Sequence, residues 1–130
     1  MNAARILIVD DDADITEIMR IVLENKGYSV DAAVDSKDAA IHLKTQKPDL
    51  IILDVMMNTK SEGFDFSREL KKDPDYREIP ILMLTAIKEK TGIDFKPEAG
   101  DETWLPVDEF LDKPVKPEQL IEKVESLLKS

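Results

Sequence analysis

Three short runs of consecutive apolar residues punctuate the chain, and each stops at a polar residue. Ile6-Leu7-Ile8-Val9 stops at Asp10-Asp11-Asp12, Leu50-Ile51-Ile52-Leu53 at Asp54, and Ile79-Pro80-Ile81-Leu82-Met83-Leu84 at Thr85. Each run is apolar throughout rather than alternating, which predicts strands covered on both faces. Residues 28–32 and 107–111 are weaker strand candidates. Between these segments the apolar spacing turns helical. Ile15, Ile18, Met19, Val22 and Leu23 share one helix face, with Gly27 as a stop. Asp35 or Ser36 caps a second helix that runs to Leu43, with Pro48 beyond it. Residues 64–71 predict a third helix, and a further one opens at Ala86 and ends near Gly92. Pro117 sits at a first-turn position ahead of a final stripe of Leu120, Ile121, Val124, Leu127 and Leu128. Strand and helix thus alternate five times, which predicts a parallel sheet with right-handed crossovers and helices on both faces. Residues 91–106, with Gly92, Pro97, Gly100 and Pro106 around Trp104, break the pattern and predict an irregular loop.

Composition narrows the function. The 130 residues make one ordinary domain, so residues 1–130 are expected to form a single unit with no effector domain attached. There are no cysteines, which excludes disulfides and thiolate metal sites. With 28 acidic against 18 basic residues the formal charge is -10, which predicts no nucleic-acid partner, because phosphate contacts need Lys and Arg. No apolar run approaches the ~18 residues that cross a bilayer, and Met1 to Arg5 holds no signal peptide. No membrane association and a cytoplasmic location are therefore expected.

The chemistry gathers at the strand ends. In open parallel sheets, sites form outside the carboxyl ends of strands near the point where strand order reverses. With a strand order of 2-1-3-4-5, the first and third strands are neighbours and their terminal carboxylates converge. Two like charges ~4 Å apart repel by about 4 kcal/mol at an effective dielectric near 20, so one takes a proton or a cation sits among them. Oxygen-only ligands favour a hard ion, and few protein ligands with open positions favour Mg²⁺ over Ca²⁺. The competing reading is that Asp10, Asp11 and Asp12 only cap the first helix. An EF-hand calcium loop is excluded, because its required Gly is Ile15 here and its closing Glu is Ile21.

Taken together, ILIVDDD at 6–12, LIILDVMM at 50–57, Gly63-Phe64, ILMLTA at 81–86 and FLDKP at 110–114 resemble the receiver domain of a two-component response regulator, in that family's order and over the whole chain. The resemblance implies a flavodoxin-like, doubly wound (βα)5 α/β sandwich with sheet order 2-1-3-4-5. It implies that Asp54 is the phosphoacceptor, and that Asp10 and Asp11 hold Mg²⁺ with Asp54 and the backbone carbonyl of Met56. Thr85, the backbone N–H of Ala86 and Lys113 would bind the phosphoryl group, and Thr85 with Phe110 would act as the switch. The implied donor is a histidine kinase or histidine phosphotransfer protein. The implied output is a downstream protein bound through residues 86–128, or onward phosphoryl transfer, by a monomer or weak dimer that catalyses only its own phosphorylation and dephosphorylation.

The chain departs from the family pattern in places. Asn58 stands where Pro is usual, and the stretch from Thr85 to Lys113 is long, with the surplus in residues 91–106. That surplus is either a tolerated surface insertion or a private partner surface around Phe95, Trp104 and Leu105. Met56 and Ile87 cannot orient an attacking water, which implies slow loss of the phosphoryl group. His42 reads as a surface or packing residue of the second helix. Two other classes compete with the switch. A haloacid-dehalogenase-like phosphatase also uses a strand-end Asp, but Asp14 does not suit its opening motif. An unphosphorylated interaction module would not need this set of residues.

Overall fold

The apolar runs form strands because each supplies side chains to two cores at once. The computed structural model describes residues 4–54, 62–85, 109–112 and 115–129; the side chains of Glu62, Phe64, Thr85, Phe110, Asp112 and Lys129 lie outside the described part. The elements are β1 (Arg5–Val9), α1 (Ala13–Asn25), β2 (Ser29–Ala33), α2 (Ser36–Thr45), β3 (Leu50–Asp54), α3 (Glu62–Lys72), β4 (Ile81–Thr85), β5 (Glu109–Asp112) and α4 (Pro117–Lys129). The five strands form one sheet in the order β2-β1-β3-β4-β5, every pair parallel. This is the predicted flavodoxin-like order.

Alternate residues of one run face opposite layers. Leu7, Val9, Ile51, Leu53, Ile81 and Met83 pack with Ala39 and Leu43 of α2 and Phe66 and Leu70 of α3. Ile6, Ile8, Leu50, Ile52, Leu82 and Leu84 pack with Met19 and Leu23 of α1 and Leu120 and Val124 of α4. Full burial of one such side chain contributes about 1.5–3 kcal/mol, so the central strands are held from both sides. The edge strand β2 is half-buried, and its Asp31 pairs with Arg5 at 2.9 Å.

Helix ends follow local chemistry. Asp12 is the N-cap of α1 and Asp35 that of α2. After α1, Gly27 takes φ +94, the left-handed conformation that glycine adopts without steric cost. Its N–H donates to Glu24 O at 2.9 Å and the Tyr28 N–H donates to Leu23 O at 3.2 Å, the paired bonds of a Schellman stop.

Several predicted boundaries move. The second strand starts at Ser29 rather than Tyr28, because the Tyr28 N–H is spent on that helix stop. The fourth starts at Ile81 rather than Ile79: Pro80 has no N–H for the ladder, although its carbonyl accepts from the Ile51 N–H at 3.0 Å. The third helix begins two residues before Phe64, at Glu62, and the fifth strand is Glu109–Asp112. The helix expected from Ala86 and the irregular stretch 91–106 lie outside the described residues. Among those residues, no helix is long and apolar enough to cross a membrane.

Candidate functional site

The site is a product of register. β1 and β3 pair as Ile6↔Leu50 through Val9↔Leu53. One step further along the same register brings Asp10 beside Asp54. Asp10 is still tied to the sheet, since its N–H donates to Ala33 O of β2 at 3.1 Å. Both side chains are buried, 2% exposed for Asp10 and 4% for Asp54, while Asp11 is exposed. One carboxylate oxygen from each of Asp10, Asp11 and Asp54 lies within 4.8 Å of the others.

Three carboxylates at this spacing, two of them out of water, repel one another and favour a compensating cation. The donor set is all oxygen, which fits a hard divalent ion and not a soft one. Asp10, Asp11 and Asp54 are the residues that could hold it.

The structure divides the labour among the three consecutive aspartates. Asp12 does not join the cluster. Its Oδ1 accepts the N–H groups of Asp14 at 3.0 Å and Ile15 at 3.2 Å, satisfying donors that a helix start leaves without partners. Asp10 Oδ1 in turn accepts the N–H of Asp12 at 2.9 Å. Helix capping and carboxylate convergence therefore fall on different members of the acidic run, capping on Asp12 and convergence on Asp10 and Asp11. Residue type alone does not distinguish the three aspartates, whereas the family resemblance assigns the ion to Asp10 and Asp11 and leaves Asp12 out. The signal that could have separated them was the cap spacing, an Asp followed two and three residues later by the first helical N–H groups.

Other site residues can be placed only by backbone. β3 and β4 pair through Asp54↔Leu84, and β4 and β5 through Thr85↔Asp112. Thr85 is thus the last residue of β4 at the same end of the sheet as Asp54. The side chains of Thr85 and Phe110 lie outside the described part, as do Met56, Ala86 and Lys113 entirely. His42 sits on α2, with Nε2 3.7 Å from Asp38 Oδ1 one turn away.

The family model of the response regulator receiver domain matches residues 6–125. The DNA-binding dual master transcriptional regulator RpaA of Synechocystis sp. is 40% identical over 126 residues, covering 96% of this chain and 49% of RpaA. Among solved structures, the signal receiver domain of a signal transduction histidine kinase from Syntrophus aciditrophicus aligns with a TM-score of 0.80 at 34% identity, over 98% of this chain and 91% of that one. The chemotaxis response regulator CheY4 of Vibrio cholerae aligns with a TM-score of 0.79 at 29% identity, over 97% of this chain and 99% of CheY4. The chain spans about half the length of the curated relatives it matches. The expectation that nucleic acid is excluded finds no support among them. RpaA carries DNA binding in its name, and the charge of this chain says nothing about the other half of so long a relative.

Proposed function

The chain belongs to the response regulator receiver domain family, the phosphoacceptor switches of two-component signalling, and from that premise we propose that Asp54 accepts a phosphoryl group from a phosphohistidine. The donor is a histidine kinase or a histidine phosphotransfer protein. An Asp54 carboxylate oxygen attacks the phosphorus, the P–N bond breaks with its electron pair left on the imidazole, and the new P–O bond makes an acyl phosphate. The observation that carries this reading is the convergence of Asp10, Asp11 and Asp54 within 4.8 Å, with Asp10 and Asp54 buried.

Mg²⁺ is the ion this reading assigns to the cluster; when bound it supplies neutralisation of charge on the phosphoryl oxygens. Asp10 and Asp11 hold it, together with Asp54 and the carbonyl of Met56. Thr85, the Ala86 N–H and Lys113 bind the phosphoryl oxygens. Lys113 suits this task as a mobile point charge. The modified state shifts a two-state equilibrium through Thr85 and Phe110, and the surface over residues 86–128 signals the change to a downstream protein. That surface includes β5 and α4.

Incubation with acetyl phosphate and Mg²⁺ is expected to leave acid-labile phosphate on the wild-type protein and none on Asp54→Asn. Absence of label on the wild type overturns the proposal in favour of an unphosphorylated interaction module. Steady turnover of phosphate monoesters overturns it in favour of a phosphatase.

A further inference from the structure

We infer that Asp12 is a positioning residue for the divalent ion, acting through Asp10 rather than as a ligand. The inference rests on the reading that Asp10, Asp11 and Asp54 hold that ion. Asp12 is gripped from two sides. Its side chain takes the N–H groups of Asp14 and Ile15, and its carbonyl takes the N–H of Thr16 at 3.0 Å. With φ -90 and ψ 104 its backbone is still extended, so its own N–H is not drawn into the helix. That N–H donates to Asp10 Oδ1 at 2.9 Å.

Asp10 is therefore fixed at both ends. Its backbone N–H is held by β2, and one carboxylate oxygen is held by a peptide group whose position the α1 cap sets. Pinning one oxygen fixes the plane of the carboxylate and so the direction in which it faces Asp11 and Asp54. Because Asp10 is 2% exposed, water does not compete for this bond. Asp12 itself is exposed and stands outside the group of convergent oxygens. Outer partners that orient a metal ligand typically carry about 10- to 100-fold in metal affinity.

Two substitutions separate the cap from the charge. Asp12→Asn keeps a side-chain oxygen that accepts the two N–H groups but removes the negative charge; Asp12→Ala removes both. Mg²⁺ is titrated calorimetrically into the whole chain of wild type and both variants, with Tm measured by circular dichroism. Asp12→Asn is expected to bind Mg²⁺ within about threefold of wild type, since an exposed charge is largely screened. Asp12→Ala is expected to bind about tenfold more weakly and to lose about 4 °C in Tm. Wild-type affinity in Asp12→Ala, with only the Tm lowered, overturns the inference, because the cap is then merely structural. Loss in Asp12→Asn equal to that in Asp12→Ala also overturns it, because the carboxylate charge is then what matters. Either result leaves the phosphoacceptor reading standing. A wild type that binds no Mg²⁺ removes that reading, and the inference with it.

Discussion

At the β1–α1 and β2–α2 junctions an aspartate closes the extended segment and caps the helix that follows. Asp12 accepts from the N–H groups of Asp14 and Ile15, and Asp35 accepts from the Asp38 N–H at 2.8 Å. The local rule is the same and the chemistry is not. At β2–α2 the second acid, Asp38, turns back to accept the Val34 N–H at 3.2 Å and lies 3.7 Å from His42. Its oxygens are taken up locally, by the turn ahead of α2 and by the helix itself. At β1–α1 the second acid, Asp10, is buried and meets a carboxylate from a distant part of the chain. The difference is sheet position. β1 lies between β2 and β3, and the β3 beside it ends in Asp54; β2 lies at the edge with only β1 beside it, and its own last residue is Ala33. The cap of α1 adjoins the cluster because parallel pairing of β1 with β3 brings together two strand ends that both carry carboxylates.

The greatest loss is expected at Asp10, where a converging carboxylate is itself replaced. In Asp10→Asn the amide oxygen still accepts the Asp12 N–H, but one of the three converging charges is gone. Mg²⁺ affinity is expected to fall more than tenfold, as a lost ligand matters at least as much as a lost outer partner. Ligand linkage gives a second readout. At a hundred times its Kd, Mg²⁺ adds about 2.7 kcal/mol to wild-type stability, so Tm rises with Mg²⁺ in wild type and barely moves in Asp10→Asn at the same concentration. An unchanged response would mean that Asp10 is not a ligand.

A smaller loss is expected at the β2–α2 junction. Asp35→Ala removes a cap of the same kind and is expected to cost about 1 kcal/mol, or about 4 °C in Tm. Mg²⁺ affinity should stay at the wild-type value, since α2 carries no part of the cluster. A drop in affinity here would mean that any loosened helix start weakens the site.

The smallest effect probes the far end of α1, where a carboxylate acts on a neighbour with no ion involved. Burial first, and the charge of Glu125 second, hold the Tyr28 phenol above its ordinary value of 10.0. A group whose folded pKa is raised leaves stability untouched below its unfolded pKa and removes it as pH rises through the folded value. Tm should therefore fall above pH 10 in wild type and fall less steeply in Tyr28→Phe. In Glu125→Gln, ultraviolet titration should show the phenol moving part of the way back, with burial keeping it raised.

Much of the fold was legible in the chain because the strands are buried on both faces. A run such as Leu50-Ile51-Ile52-Leu53 has no polar residue to confuse its reading, and its alternate side chains go to the two cores. The boundaries were less legible where one backbone group served two elements. Tyr28 looks like the start of a strand by its side chain and belongs to a helix stop by its N–H. The site was legible as a list of strand-end polar residues. Side-chain chemistry could not divide roles among Asp10, Asp11 and Asp12, which are identical in type; the resemblance divided them by naming only Asp10 and Asp11 for the ion.

The alternation of elements, the two-faced burial of the central strands and the acids where the first and third strands end are all written in the order of residues along the chain. Those follow from side-chain chemistry read along the chain. The tertiary structure adds the spatial division of the aspartates, with Asp10 and Asp11 beside Asp54 and Asp12 apart from them. Parallel pairing of β1 with β3 placed Asp10 next to Asp54, and the turn into α1 directed Asp12 to the helix start instead. Residues of one type differ here in what holds them: the Asp10 N–H is held by Ala33 O of a distant strand, whereas Asp12 is held by the N–H groups of Asp14 and Ile15 beside it in the chain.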